Sequence, residues 1–156
     1  MDKETSKTIA EKITSADKKI IFLVGSLQKL DVDQFIEEYN YSQRDFKYFL
    51  RKNQLDSESY SNLSPFQQRN LSIQLARWAN DIAYKEQKPA LLITKINIET
   101  ELNYLTKGLL MQELLHLAKN DERLSLKLVF VIDTDKMELE RQILPKVLKE
   151  SKVIYF

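Results

Sequence analysis

Lys19-Ile-Ile-Phe-Leu-Val-Gly25, followed by Ser26-Leu-Gln-Lys-Leu-Asp31, is the stretch on which the reading of this chain turns. Its apolar run is unbroken and rich in β-branched and aromatic residues. That pattern predicts a strand covered on both faces, as in a parallel sheet, rather than a strand with one wet side. Outward from it, residues 4–16 predict an amphipathic helix with Ile9, Ala10 and Ile13 on one face. On the other side, Asp31 or Asp33 can cap a helix through Phe35, Ile36 and Tyr39. Tyr41–Lys52 reads as a second short helix and Asn53–Ser64 as a loop. Ser64-Pro65 is a helix start, with a capping hydroxyl and proline at the first helical position. The helix it opens runs to Gln87, with Leu71, Leu75, Trp78, Ala79 and Ile82 at core spacing. Pro89–Thr94 and Leu126–Asp133 read as further buried strands. Between them Glu99–Lys119 is a leucine-rich helix carrying Leu102, Leu105, Leu109, Leu110, Leu114 and Leu117. A helix over Lys136–Glu150, kinked at Pro145, precedes a last strand at Val153–Phe156, expected at a sheet edge and open to a partner strand. Alternating apolar strands and amphipathic helices imply one α/β domain over residues 1–156. The expected architecture is three-layered and Rossmann-like, with a mostly parallel sheet of about four or five strands.

Composition narrows the chemistry. The 156 residues suit one domain with a full core, and glycine occurs only at Gly25 and Gly108. So few glycines argue against a Gly-rich phosphate cradle. With 24 basic and 23 acidic residues the net charge is +1, so binding to nucleic acid or anionic lipid must use a local patch. There is no cysteine, which removes disulfides, thiolate metal sites, Fe–S clusters and cysteine nucleophiles. A single histidine, His116, removes most zinc constellations and any Ser/His/Asp site that does not use it. No metal and no cofactor is therefore expected. The N-terminal MDKETSKTIAEKI is charged and helical in pattern, without a signal-peptide core, and no apolar run reaches membrane-spanning length. The expectation is a cytoplasmic protein with no membrane partner.

A buried strand, a glycine, a loop and a helix is the setting of a phosphate-binding loop. In G-x-x-x-x-G-K-[ST] the glycines let backbone N–H groups close around phosphates, the lysine reaches the outer oxygens, and the hydroxyl ligates magnesium. Here the second glycine is missing, Lys29 arrives early, and no hydroxyl follows it. The strand Ala90-Leu-Leu-Ile-Thr94-Lys95 also ends without the acidic residue that would hold the magnesium water. Glu99 and Glu101 come later, where carboxylates favour a helix start.

In order and pattern, residues 19–133 resemble the small P-loop proteins of bacterial phage-exclusion (BREX) systems and the reduced ATPase-like fold of clamp-loader subunits. The local likeness lies in Leu91-Leu-Ile-Thr-Lys-Ile-Asn-Ile and Leu109-Leu-Met-Gln-Glu-Leu-Leu-His-Leu-Ala-Lys-Asn120, which look like the Walker B strand and its following helix. The resemblance implies a degenerate P-loop-like member with Gly25, Lys29 and Thr94 at vestigial nucleotide positions. It also implies no hydrolysis, and a place in a DNA-associated, multi-subunit antiviral defence assembly beside other protein subunits.

Three further features have a functional and a structural reading. Tyr39–Lys52 interleaves aromatic and basic residues, so Tyr41, Arg44, Phe46, Lys47, Tyr48, Arg51 and Lys52 are candidate nucleic-acid or partner contacts. Buried aromatics under a solvated basic face are the plainer alternative. His116 can be a general base, or the margin of a packed face. Asp133 and Asp135 end a strand where α/β ligand sites form, yet Thr134 or Asp135 can simply cap the next helix, with Glu138 completing a capping box. Asp133 with Glu150 and Lys152 would compose a nuclease-like acid–lysine set. An unconventional nucleotide enzyme around Gly25, Lys29 and Asp133 is the remaining alternative.

Overall fold

The central strands are buried along nearly their whole length, with successive side chains serving opposite cores, and this fixes a three-layer arrangement. The computed structural model describes residues 3–56, 62–96, 109–119, 124–136 and 151–156. In chain order the described elements are α1 (Lys3–Ser15), β1 (Ile20–Gly25), α2 (Val32–Tyr39), β2 (Ser42–Asp45), α3 (Phe46–Lys52), α4 (Pro65–Glu86), β3 (Ala90–Thr94), α5 (Leu109–Lys119), β4 (Lys127–Asp133) and β5 (Lys152–Tyr155). The five strands form one sheet in the order β2-β3-β4-β1-β5, and every pairing is parallel. The expected α/β sheet is therefore present with five strands, and the last strand is an edge strand.

Ile20, Phe22 and Val24 of β1 join Leu91 and Ile93 of β3 and Leu128, Phe130 and Ile132 of β4 on one face. That face is covered by Phe46, Phe49 and Leu50 of α3, by Leu71, Leu75, Trp78 and Ile82 of α4, and by Leu110, Leu114 and Leu117 of α5. Trp78 is thus a core residue, as its spacing implied, with its ring 5.4 Å from that of Phe49. The opposite side chains, Ile21, Leu23, Leu92, Val129 and Val131, meet Ile9 and Ile13 of α1 and Phe35 of α2. Each such burial contributes about 1.5–3 kcal/mol, so the two layers together hold the sheet.

Local signals explain the helix limits. Ser64 accepts from the Gln67 N–H at 3.1 Å while Gln67 Oε1 accepts from the Ser64 N–H at 2.8 Å, a reciprocal box at the start of α4. Gln87 ends α4 in a left-handed conformation, φ 54. The α1 C-terminus is closed from a distance: Lys127 Nζ donates to the Ile13 and Thr14 carbonyls, both at 2.6 Å.

The expected helix over Tyr41–Lys52 needs correction. Ser42–Asp45 instead pairs with Leu91–Thr94 as an edge strand, and the helix begins only at Phe46, with Asp45 accepting from the Lys47 N–H at 3.0 Å. The strand sequence Ser-Gln-Arg-Asp has no apolar alternation, so only its pairing with β3 determines its conformation. The expected helix over Lys136–Glu150 and the first part of that over Glu99–Lys119 fall outside the described residues.

Candidate functional site

The connection from β1 to α2 is a closed turn rather than an open loop. Lys29 N–H donates to the Ser26 carbonyl at 2.9 Å, and the side chain of Leu30 is buried immediately after. Several donors that would face an anion already have acceptors. Leu27 N–H donates to Asp133 Oδ1 at 3.3 Å, Ser26 Oγ donates to Asp135 Oδ2 at 2.7 Å, and Gln28 N–H reaches Ser26 Oγ at 3.3 Å. At the α2 N-terminus Asp31 is the cap, and its carboxylate accepts from the Gln34 N–H at 3.1 Å. A helix N-terminus and a strand-to-helix turn are where phosphate would bind, and here Asp31, Asp133 and Asp135 bring carboxylates to both.

Gly25 has a packing duty. A Cβ there would lie 2.5 Å from the Phe156 carbonyl oxygen and 2.7 Å from its ring. Phe156 continues from β5 and donates its N–H to the Val24 carbonyl at 3.0 Å. The missing side chain at Gly25 thus admits the chain at Phe156. Lys29 is exposed at the turn.

Asp133 also accepts from the Asp135 N–H at 3.1 Å. This bond spans the start of the short turn Thr134–Lys136 that follows β4, while the helix that Thr134 or Asp135 is expected to cap lies outside the described residues. Glu138 lies outside the described residues. The nuclease-like set is not assembled: Asp133 is level with Gly25 of β1, whereas Lys152 is level with Ile21. Four residues of strand put them roughly 13 Å apart along the sheet, with β1 between. Glu150 lies outside the described residues.

Thr94 ends β3 as a buried hydroxyl and accepts from Gln43 Nε2 at 2.5 Å. It is separated from Gly25 by β4, roughly 10 Å across two strand spacings. The next residue, Lys95, is exposed and takes φ 55. The other non-glycine positive angles, at Asn40, Gln54 and Gln87, all lie at or just past helix C-termini. Lys95 instead follows a strand, and such backbone costs about 1–2 kcal/mol for a residue with a Cβ.

The aromatic and basic candidates of residues 39–52 are divided by the fold. Tyr41 is buried among Phe35 and Tyr39, and burial pushes its phenol up despite a hydrogen bond to Thr14. Phe46 is fully buried on the other side of the sheet. Neither offers a stacking surface, which corrects that part of the candidate set. Arg44 pairs with Glu86 at the end of α4, and Ser42 Oγ donates to the same carboxylate at 2.7 Å. Burial alone would raise Glu86, but the hydrogen bonds from Ser42 and Arg44 and the charges of Arg44 and Lys88 hold it below the ordinary value. Lys47, Tyr48, Arg51 and Lys52 remain exposed on α3, Tyr48 at 58%.

Outside these places, His116 is exposed in the last turn of α5. Among the described residues no group of three or more His, Asp or Glu could hold a metal ion, and no helix is long and apolar enough to cross a membrane. The cap at Asp31 is one of the two that the sequence offers, whereas the hydrogen bonds that Asp133 accepts are hard to read from sequence, because they depend on which N–H groups the fold brings near. The Asp-Thr-Asp run after β4 is the available signal, since Asp accepts readily from the residue two ahead. A scan against protein-family models and a search of the curated proteins both give no match.

Proposed function

We propose that this chain is a non-catalytic, P-loop-like accessory subunit, a docking platform in a DNA-associated bacterial assembly of the phage-defence kind. The observation that carries the reading is the set of carboxylates on the turn after β1. Asp133 and Asp135 accept from Leu27 and Ser26, and Asp31 caps α2. A phosphate brought there would displace hydrogen bonds already made and face like charges. Each such pair at 4 Å repels by about 1 kcal/mol in water and about 4 kcal/mol near a protein surface. One exposed Lys29 does not offset three. Thr94, hydrogen-bonded to Gln43, leaves the end of β3 without a carboxylate for magnesium. The five-stranded parallel sheet with helices on both faces supports the scaffold half of the reading.

The docking half draws on α4. Phe66, Ile73 and Tyr84 are 77%, 39% and 83% exposed. Their spacings of seven and eleven residues fall close to whole turns, so the three lie along one outward stripe with exposed Arg77 beside them. Exposed aromatic and arginine residues grouped on a rigid helix are the composition of protein-interface hot spots.

ATP turnover by the purified chain tests the reading. No magnesium-dependent hydrolysis above background is expected, for wild type and Lys29→Ala alike. Turnover that Lys29→Ala abolishes would overturn it.

A further inference from the structure

β2 and β3 leave the sheet side by side, Asp45 paired with Thr94, so Lys95 emerges beside the start of α3. In α3 the buried positions Phe46, Phe49 and Leu50 turn the others outward. Lys47 and Arg51, and Tyr48 and Lys52, are two pairs four residues apart and therefore neighbours on the exposed face. Among the described residues Lys47, Arg51, Lys52 and Lys95 form no ion pair, in contrast to Arg44 on the adjacent strand. The nearby Asp45 carboxylate accepts from the Lys47 N–H as the α3 cap. Three exposed cations and a phenol ring that stands 58% exposed thus share the outer face of α3, with exposed Lys95 following the strand paired beside its start. This group lies at the carboxyl end of the parallel strands, where α/β ligand sites form. One of its members, Lys95, is held in left-handed backbone that a glycine would adopt more cheaply.

We propose that Lys47, Tyr48, Arg51, Lys52 and Lys95 form a binding face for single-stranded nucleic acid. The cations meet successive phosphates and Tyr48 stacks on one unpaired base. A single strand is favoured over a duplex for two reasons. The ring can stack only on a base free of its helix, and α3, at 7 residues or roughly 10 Å, is too short to read along a groove. The assignment rests on the reading of the chain as a nucleic-acid-associated subunit, but not on the state of the turn after β1.

Fluorescence anisotropy with a labelled oligothymidylate at low salt tests it, on the whole chain, with circular dichroism to check the fold of each variant. Wild type is expected to bind with strong salt dependence. Lys47→Glu/Arg51→Glu is expected to weaken binding at least about tenfold and to lower the slope of log K against log salt by about 0.7 for each phosphate no longer neutralised. Tyr48→Ala is expected to weaken it about five- to hundredfold with the slope unchanged. Lys95→Gly, which relieves the backbone, should weaken binding without loss of stability, while Lys12→Glu on the opposite layer should change nothing. No binding at low salt, or binding that Lys47→Glu/Arg51→Glu leaves intact, would overturn the proposal. So would indifference to Tyr48→Ala together with equal competition by duplex DNA or polyglutamate. ATP turnover dependent on Lys29 would overturn the proposed function while leaving this face standing, and absent oligothymidylate binding would do the reverse.

Discussion

Gly25 illustrates how one residue type serves two purposes that only the surrounding chain can separate. A glycine ending a buried strand invites a phosphate, yet here its missing Cβ makes room for the Phe156 carbonyl and ring. Gly25→Ala is therefore expected to destabilise by about 1–3 kcal/mol in urea denaturation, an overpacking cost. Phe156→Ala in the same chain should recover only part of it, because the carbonyl oxygen remains. A neutral Gly25→Ala would show that β5 does not close on β1 as described. Glu86 carries the clearest acid dependence. Its folded carboxyl lies below the ordinary 4.5, because Ser42 and Arg44 outweigh burial. The stabilisation is thus complete above that value and is lost as pH falls through the lowered one. The advantage of wild type over Glu86→Gln should shrink over that acid window; an advantage unchanged at low pH would contradict the assignment. Residue roles of this kind are hardly legible in the sequence. Tyr41 and Phe46 look like stacking surfaces there, and only the strand at Ser42–Asp45 sends them into opposite cores.

At the scale of elements, legibility follows the strength of local signals. The strand at Ile20–Gly25 and the helix at Pro65–Glu86 are each specified by their own residues, by continuous apolar character in one and by a cap, a proline and core spacing in the other. Ser64→Ala removes the hydroxyl half of that cap and should cost about 1 kcal/mol in thermal or urea unfolding, with Ser64→Gly milder. Equal stability of Ser64→Ala and wild type would mean the α4 start is held by packing alone. β2 is the opposite case. With Ser42 its buried member and the other three partly exposed, it has no periodicity of its own, and β3 supplies its conformation. The candidate site divides the same way: the basic residues of α3 are visible as a group, whereas Lys95 joins them through the register of two parallel strands. The turn after β1 can be read as lacking phosphate-loop residues. That two of its donors are held by carboxylates more than a hundred residues away requires the fold.

For the molecule as a whole, the near-balanced charge conceals an uneven distribution. Exposed Lys47, Arg51, Lys52 and Lys95 lie beside β2 and β3, and Asp133 and Asp135 lie at the end of β4 facing the turn after β1, both at the carboxyl end of one parallel sheet. On the proposed reading the first arrangement suits a polyanion and the second opposes a nucleotide. The sheet has the parallel, two-sided layout of a nucleotide-binding core while the turn that would grip phosphate is tied to its own aspartates. Isothermal titration calorimetry of MgATP into the purified chain is the most direct test of that closure. No saturable heat at millimolar nucleotide is expected. Saturable binding in wild type that disappears in Lys29→Ala would contradict it.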